Sequence, residues 1–293
     1  MLSSITGQAD IIKRLKKAVE SPGHAYIFSG EKGMGKFEIA RAFAKSLQCE
    51  SSIGDACGAC LSCRVFESGN HPDIMYVKAA KTKAIGVGDV REQMVLPMSE
   101  KPFRYKYKIF IVSDPLTPQA QNALLKTIEE PASFGIFIFL TESIRLYLPT
   151  VLSRCITLKL RPLSDEEVAA KIGGMSPAVV FAGGNPGRAK ELLESDDFEQ
   201  MRAFAEYVAK NIQGMDITAA MALYSRFDKY KEQIQILLDM LYLYYRDMLI
   251  ESFRASDFDI INETKKSLTR NGNFQMTIEL MLLKLAGFAE VLN

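Results

Sequence analysis

Seven residues restrict this chain more than any others: Gly30-Glu31-Lys32-Gly33-Met34-Gly35-Lys36. They read G-x-x-x-x-G-K. The residues before them, His24 to Ser29, read as a strand, and Glu38 to Lys45 read as a helix. Strand, glycine turn and helix is the setting in which such a loop wraps its backbone N–H groups around phosphate at a helix N-terminus. Gly30, Gly33 and Gly35 supply the turn, and Lys36 is placed to reach the outer phosphates. A Ser or Thr should follow, because its hydroxyl holds Mg²⁺. Here Phe37 follows.

The same economy recurs downstream. Lys108-Ile109-Phe110-Ile111-Val112 is a continuous apolar run, as expected of a strand buried on both faces of a parallel sheet. In a hydrolysing P-loop protein such a strand ends in acidic residues that serve Mg²⁺ and the attacking water. This one ends in Ser113-Asp114-Pro115. Two independent departures, Phe37 and Ser113, argue against efficient hydrolysis. Further alternation follows, with a helix over Gln119 to Glu130, a strand over Ile136 to Leu140 and a strand over Ile156 to Leu160. The pattern predicts an α/β fold with a parallel sheet and ligands at the strand ends.

Four cysteines, Cys49, Cys57, Cys60 and Cys63, fall in the pattern C-x7-C-x2-C-x2-C. Four soft ligands in a glycine-containing turn favour a closed, structural Zn²⁺ site. Disulfides and an iron–sulfur cluster are the alternatives. Cys155 lies far off and reads as a core thiol. His71, in Asn70-His71-Pro72-Asp73, reads as a turn residue rather than a fifth ligand. Lys101-Pro102-Phe103-Arg104-Tyr105-Lys106-Tyr107-Lys108 interleaves cations with aromatics; a nucleic-acid strip and a solvated connector into the next strand both fit.

A helix is expected over Gln8 to Val19 and another over Ile85 to Met98. After Arg161-Pro162-Leu163 the pattern turns helical, with Ser164-Asp165-Glu166-Glu167 as an N-terminal cap. From Phe198 every segment reads as helix, over 198–212, 217–227, 230–252, 260–269 and 274–292. Gln235 to Leu249 is apolar on more than one face, so that helix is buried in a bundle or in a subunit contact. The expected organisation is a P-loop domain over 1–161 with a zinc module near 49–63, a small helical lid over 162–197, and an all-α domain over 198–293. Residues 1–160 carry 21 Lys/Arg against 15 Asp/Glu, although the whole chain is only +1. No apolar run is long enough for a membrane span and the N-terminus lacks a signal-peptide pattern, so the expected location is the cytoplasm.

Five stretches together carry a resemblance: His24-Ala25-Tyr26 before the loop, the four-cysteine insert, His71-Pro72-Asp73, Asn122-Ala123-Leu124-Leu125-Lys126-Thr127-Ile128-Glu129-Glu130-Pro131, and Ser153-Arg154-Cys155. The chain closely resembles the clamp-loader subunits of bacterial DNA polymerase III, members of the AAA+ family, through about residue 190. The last 95 residues match only in being helical, as that family's collar is. The motor subunits of the family, gamma and tau, keep the P-loop hydroxyl and the acidic pair; Phe37 and Ser113 make this chain similar to the stationary, non-motor member. The resemblance implies a component of the DNA-directed DNA polymerase holoenzyme with no ATPase of its own and with the P-loop holding ATP, ADP or nothing. Its implied partners are the gamma/tau and delta subunits, the sliding clamp, and primed DNA through the complex, with no membrane. It further implies that Arg154 is an arginine finger, reaching the ATP of a neighbouring subunit; read alone, Arg154 is an arginine before a strand. Arg188, in Gly184-Asn185-Pro186-Gly187-Arg188, is either a nucleotide sensor in the lid or a surface arginine near a helix start. The rival reading is an active ATPase, either a motor subunit or another AAA+ enzyme.

Overall fold

Short runs of aromatic and branched residues that are apolar on both sides have one stable home, a strand covered from above and below. Five strands occur in the computed structural model, which describes residues 1–51, 53–80, 83–247 and 255–288. They are β1 (Ala25–Ser29), β2 (Ile74–Val77), β3 (Lys108–Val112), β4 (Gly135–Thr141) and β5 (Ile156–Lys159). Three of them, β1, β3 and β4, are buried at every position, while β2 and β5 carry exposed residues. All pairings are parallel, in the order β2-β3-β4-β1-β5. The two-residue alternation sorts side chains between two cores. Tyr26, Phe28, Ile109, Ile111, Ile136 and Ile138 pack on one face. Ala25, Ile27, Phe110, Val112, Phe137 and Phe139 pack on the other.

Helices cover both faces. α1 (Ala9–Glu20) and α2 (Lys36–Leu47) bury Ile12, Leu15, Ile39 and Phe43 in the first core. α3 (Leu61–Glu67) follows the cysteine turn and is clamped to α2: the Lys45 ammonium pairs with Glu67, and the Arg41 guanidinium lies 5.2 Å from the centre of the Phe66 ring. The helix expected over Ile85 to Met98 is a composite of α4 (Val87–Val90), a wider π-helical turn at Arg91–Val95, and α5 (Leu96–Met98). Asp89 fixes its start by accepting from the Gly86 N–H at 2.9 Å. α6 (Pro118–Glu129) and α7 (Pro149–Leu152) complete the second core. α8 (Asp165–Ile172), α9 (Pro177–Ala182) and α10 (Pro186–Leu193) follow β5; Ser164 caps α8 as the sequence predicts, and Glu167 completes the cap by accepting from the Ser164 N–H.

The chain divides into two compact units, Met1–Lys190 and Glu191–Asn293. The second is helical throughout its described residues: α11 (Phe198–Asn211), α12 (Ile217–Ala222), α13 (Tyr224–Lys229), α14 (Ile234–Asp247), α15 (Ala255–Thr269) and α16 (Phe274–Ala286). The helix expected over 217–227 is broken at Leu223. α16 ends early because Gly287 takes a left-handed conformation, φ +100°, and the Phe288 N–H closes back on the Leu283 carbonyl. In α14, Leu237, Leu238, Met240, Leu241 and Tyr245 are buried within this unit, which explains its apolar faces. The expected continuation through Met248 and Leu249, and that of the last helix to 292, lie outside the described residues. No helix among the described residues is long and apolar enough to cross a membrane.

One buried carboxylate organises the end of the sheet where β2 and β3 begin. Asp73, 1% exposed, accepts from the backbone N–H groups of Phe103, Arg104 and Tyr105 at 2.5, 3.0 and 2.9 Å. His71 accepts from the Asp73 N–H through Nδ1, packs against Tyr105 with centroids 4.4 Å apart and rings tilted by 34°, and meets Ser62 Oγ through Nε2 at 3.3 Å. An imidazole that accepts at Nδ1 is neutral, and burial lowers the His71 pKa in the same sense. Replacing Asp73 with Ala strands three donors, and we expect a loss of about 3 kcal/mol in a urea unfolding titration. Asp73→Asn, which keeps one acceptor oxygen, should lose less.

Candidate nucleotide cleft and cysteine centre

The glycine loop forms as the sequence demands. Gly33 and Gly35 both have φ of +87°, a conformation that side chains disfavour, and Gly35 is the N-cap of α2. Gly30 donates to the Thr141 carbonyl at 3.1 Å, tying the start of the loop to the end of β4. Lys36 is folded back over the loop, with Nζ donating to the Gly30 and Glu31 carbonyls at 2.5 and 2.7 Å. Burial lowers its pKa against the opposing pull of Glu142 and Glu31.

A cleft of about 670 Å³ opens beside the loop. Lys36, Phe37, Ser113, Leu140, Thr141 and Glu142 help line it. Phe37, 45% exposed, stands where a metal-binding hydroxyl would be; its ring lies 5.8 Å from that of Tyr76 on β2, with Arg41 6.0 Å from its centre. Asp114 is turned to structural use, accepting from the Ala79 N–H at 2.9 Å. Sequence reasoning overlooked that role. The cleft therefore offers two ammonium groups, Lys32 and Lys36, one carboxylate, two hydroxyls and much apolar surface.

The lid turn closes on the loop through backbone. Gly187 N–H donates to the Gly33 carbonyl at 3.1 Å, and Asn185 Nδ2 donates to the Lys32 carbonyl at 2.7 Å. Asn185 Oδ1 in turn accepts from the Arg188 N–H at 3.1 Å. The approach is close enough that a Cβ on Gly187 would lie 2.4 Å from the Gly33 Cα. Arg188 is half-buried beside this contact. Gly30, Gly33, Gly35, Lys36 and Arg188 are thus brought together, whereas Arg154 lies elsewhere, in the turn between α7 and β5. Its guanidinium donates to the Thr150 carbonyl at 2.9 Å and Ser153 Oγ at 3.0 Å, and pairs with Glu129 at 2.7 Å. Both partners are over a third exposed, so this pair stabilises little and is cheaply released.

The four cysteines converge. The Sγ atoms of Cys49, Cys57, Cys60 and Cys63 all lie within 4.8 Å of one another. Those of Cys57 and Cys63 are 4.0 Å apart, close to the edge of about 3.8 Å that follows from four bonds of about 2.3 Å to one tetrahedral zinc. A four-iron cluster would spread the sulfurs further, because each thiolate binds its own iron. All four thiols are free, so no disulfide competes. Backbone N–H groups point at the sulfurs: Cys57 at Cys49, Ala59 and Cys60 at Cys57, Cys63 at Cys60, all at 3.3–3.4 Å. The donors from Cys60 and Ala59 bring the Cys57 thiol down to about 6, while burial pushes Cys63 up to about 12. This donor set fits a single soft cation. His71 lies outside the cluster.

A parallel sheet in this order, with a glycine loop after β1 and a lid turned onto it, defines a P-loop nucleotide-binding fold. The family model described as DNA polymerase III, delta subunit, matches residues 7–164. The chain belongs to that family. It is 31% identical over 257 residues to DNA polymerase III subunit delta' of Bacillus subtilis (strain 168), covering 83% of this chain and 77% of the relative. It is 33% identical over 180 residues to the gamma/tau subunit of Mycoplasma pneumoniae, covering 58% of this chain but only 26% of that protein. Among solved structures, it overlays on a DNA polymerase III gamma subunit-related protein of Thermotoga maritima with a TM-score of 0.49 and 15% identity, over 94% of this chain and 98% of that one.

The glycine–glycine contact yields a direct test. Gly187→Ala should force the lid turn off the loop and destabilise the chain by about 2 kcal/mol, read from the thermal or urea unfolding midpoint. The amide at position 187 should then exchange with solvent faster.

Proposed function

We propose that this chain is a non-motor, delta'-type subunit of a bacterial clamp loader, assisting ATP-dependent loading of a sliding clamp on primed DNA. The observation that carries the reading is the state of the cleft. Phe37 stands at the hydroxyl position, Ser113 replaces an acid at the end of β3, and Lys36 is engaged by carbonyls of its own loop. Such a site lacks the hydroxyl after the loop lysine and the acid directly after β3 that hold Mg²⁺ and aim water. Family membership and the delta' relative support the same reading. Its partners would be gamma/tau and delta subunits and the clamp. Residues 1–161 would form the P-loop domain, 162–197 the lid and 198–293 the collar.

Arg154 takes the catalytic part in this reading. A guanidinium is always charged and can hold two phosphate oxygens at once. Exchanging Glu129 for the γ-phosphate of a neighbour's ATP would cost little, since the existing pair is solvent-exposed. The isolated chain should show negligible ATP turnover. In the reconstituted complex, Arg154→Ala should slow hydrolysis at the adjoining site by roughly 10³-fold, seen as loss of that site's share of total turnover. Robust hydrolysis by the chain alone would refute the non-motor reading, and an unchanged complex would refute the finger.

The cysteine module would hold structural Zn²⁺ through Cys49, Cys57, Cys60 and Cys63. Zinc supplies no chemistry in a closed four-thiolate site; it cross-links the turn before α3. Metal analysis of purified chain should find one zinc per molecule. Chelation, or Cys57→Ser, should lower the unfolding midpoint. Stoichiometric iron, or no metal, would overturn the assignment.

A further inference from the structure

The cleft and the cysteine centre leave one prominent feature unused: the loop that enters β3. Its backbone is fixed by Asp73, which holds three consecutive N–H groups, and by the His71–Tyr105 ring contact. Its side chains do the opposite. Phe103 is 84% exposed, the most exposed large apolar residue among those described. Lys101, Arg104 and Lys106 flank it and are exposed as well. Arg104 lies 5.8 Å from the centre of the Tyr105 ring and Lys106 lies 4.9 Å from that of Tyr107, so neighbouring aromatics position these cations. Glu100 is the lone exposed acid in the stretch 100–107. The Asp73 carboxylate beneath is engaged by the backbone.

We propose that this loop is a contact for single-stranded nucleic acid, with Phe103 stacking on a base and Lys101, Arg104 and Lys106 facing phosphates. Two features favour this partner over a protein. The centre of a protein interface is depleted in charge and enriched in packed apolar surface, whereas this ring stands singly among cations. Single strands present an unstacked aromatic face and a regular line of phosphates, and proteins meet them with aromatics set in basic surface. A pre-fixed backbone also limits the ordering cost on binding. The inference goes beyond the function proposed above, in which DNA is met through the complex; this contact belongs to the chain itself and is tested without partners.

The chain has no tryptophan, so Phe103→Trp places a single indole at the proposed contact. Titrating that variant with an oligodeoxythymidylate of about 16 nucleotides should quench the indole emission saturably. Phe103→Ala should weaken oligonucleotide binding by about ten-fold, within the range seen when a stacking aromatic is removed. The combined variant Lys101→Ala, Arg104→Ala, Lys106→Ala should weaken binding and reduce its salt dependence by the equivalent of about three phosphates. All four side chains are exposed, so folding is preserved. Indole emission indifferent to oligonucleotide, or unchanged affinity of Phe103→Ala, would overturn the proposal. Quenching by partner subunits with no effect of oligonucleotide would overturn it in favour of a protein contact.

Discussion

A parallel sheet whose central strands are buried on both faces confines chemistry to strand ends. In this chain Ile27, Phe110, Phe137 and Phe139 fill one side of the sheet and Phe28, Ile109, Ile111 and Ile138 the other. No functional group can sit in the middle of β1, β3 or β4 without the cost of an unpaired buried polar atom. The polar residues therefore gather at two rims. At the carboxyl ends of the strands lie the glycine loop, Ser113, Thr141 and Glu142. At the amino ends lie Asp73, His71 and the basic loop they hold.

The carboxyl rim has the backbone of a phosphate-binding loop without the hydroxyl and acid that accompany it in hydrolysing P-loop proteins. Gly33 and Gly35 retain the conformation that aims N–H groups inward, and the lid still rests on Gly33 through Gly187. Yet an aromatic ring and a serine occupy the positions where metal-binding groups belong. Backbone geometry is specified by glycines alone and survives such changes. The lid contact needs only that Gly33 and Gly187 remain without side chains. Arg154, by contrast, stands apart from the cleft on an exposed turn with a weak ionic partner.

Much of this was legible in the sequence because it depends on local rules. The glycine loop, the alternation of apolar strands with helices, the Ser164–Glu167 cap and the spacing of four cysteines all act over a few residues. What escaped depends on distant partners. Asp73 looked like part of a turn, yet its carboxylate serves a loop thirty residues on. Asp114 had no role in the sequence beyond following Ser113 at the strand end, yet it anchors Ala79. The break at Leu223 and the early stop at Gly287 show that apolar periodicity alone carries a helix past its true end. Nothing in the spacing of Asn185 and Gly187 from Lys32 and Gly33 announces that they meet.

The cysteine turn has a consequence for the order in which the chain assembles. Its four sulfurs come from residues 49 to 63, so closing it around a cation costs little loop entropy. The sheet is different, for β1 pairs with β4, Ala25 opposite Phe137, across most of the first unit. Pairings of such separation form late. During synthesis the cysteine turn and α3 are complete long before β4 leaves the ribosome. A metal-filled turn clamped through Lys45–Glu67 would then hold α2, and with it the glycine loop, in place while the central strands are still being made.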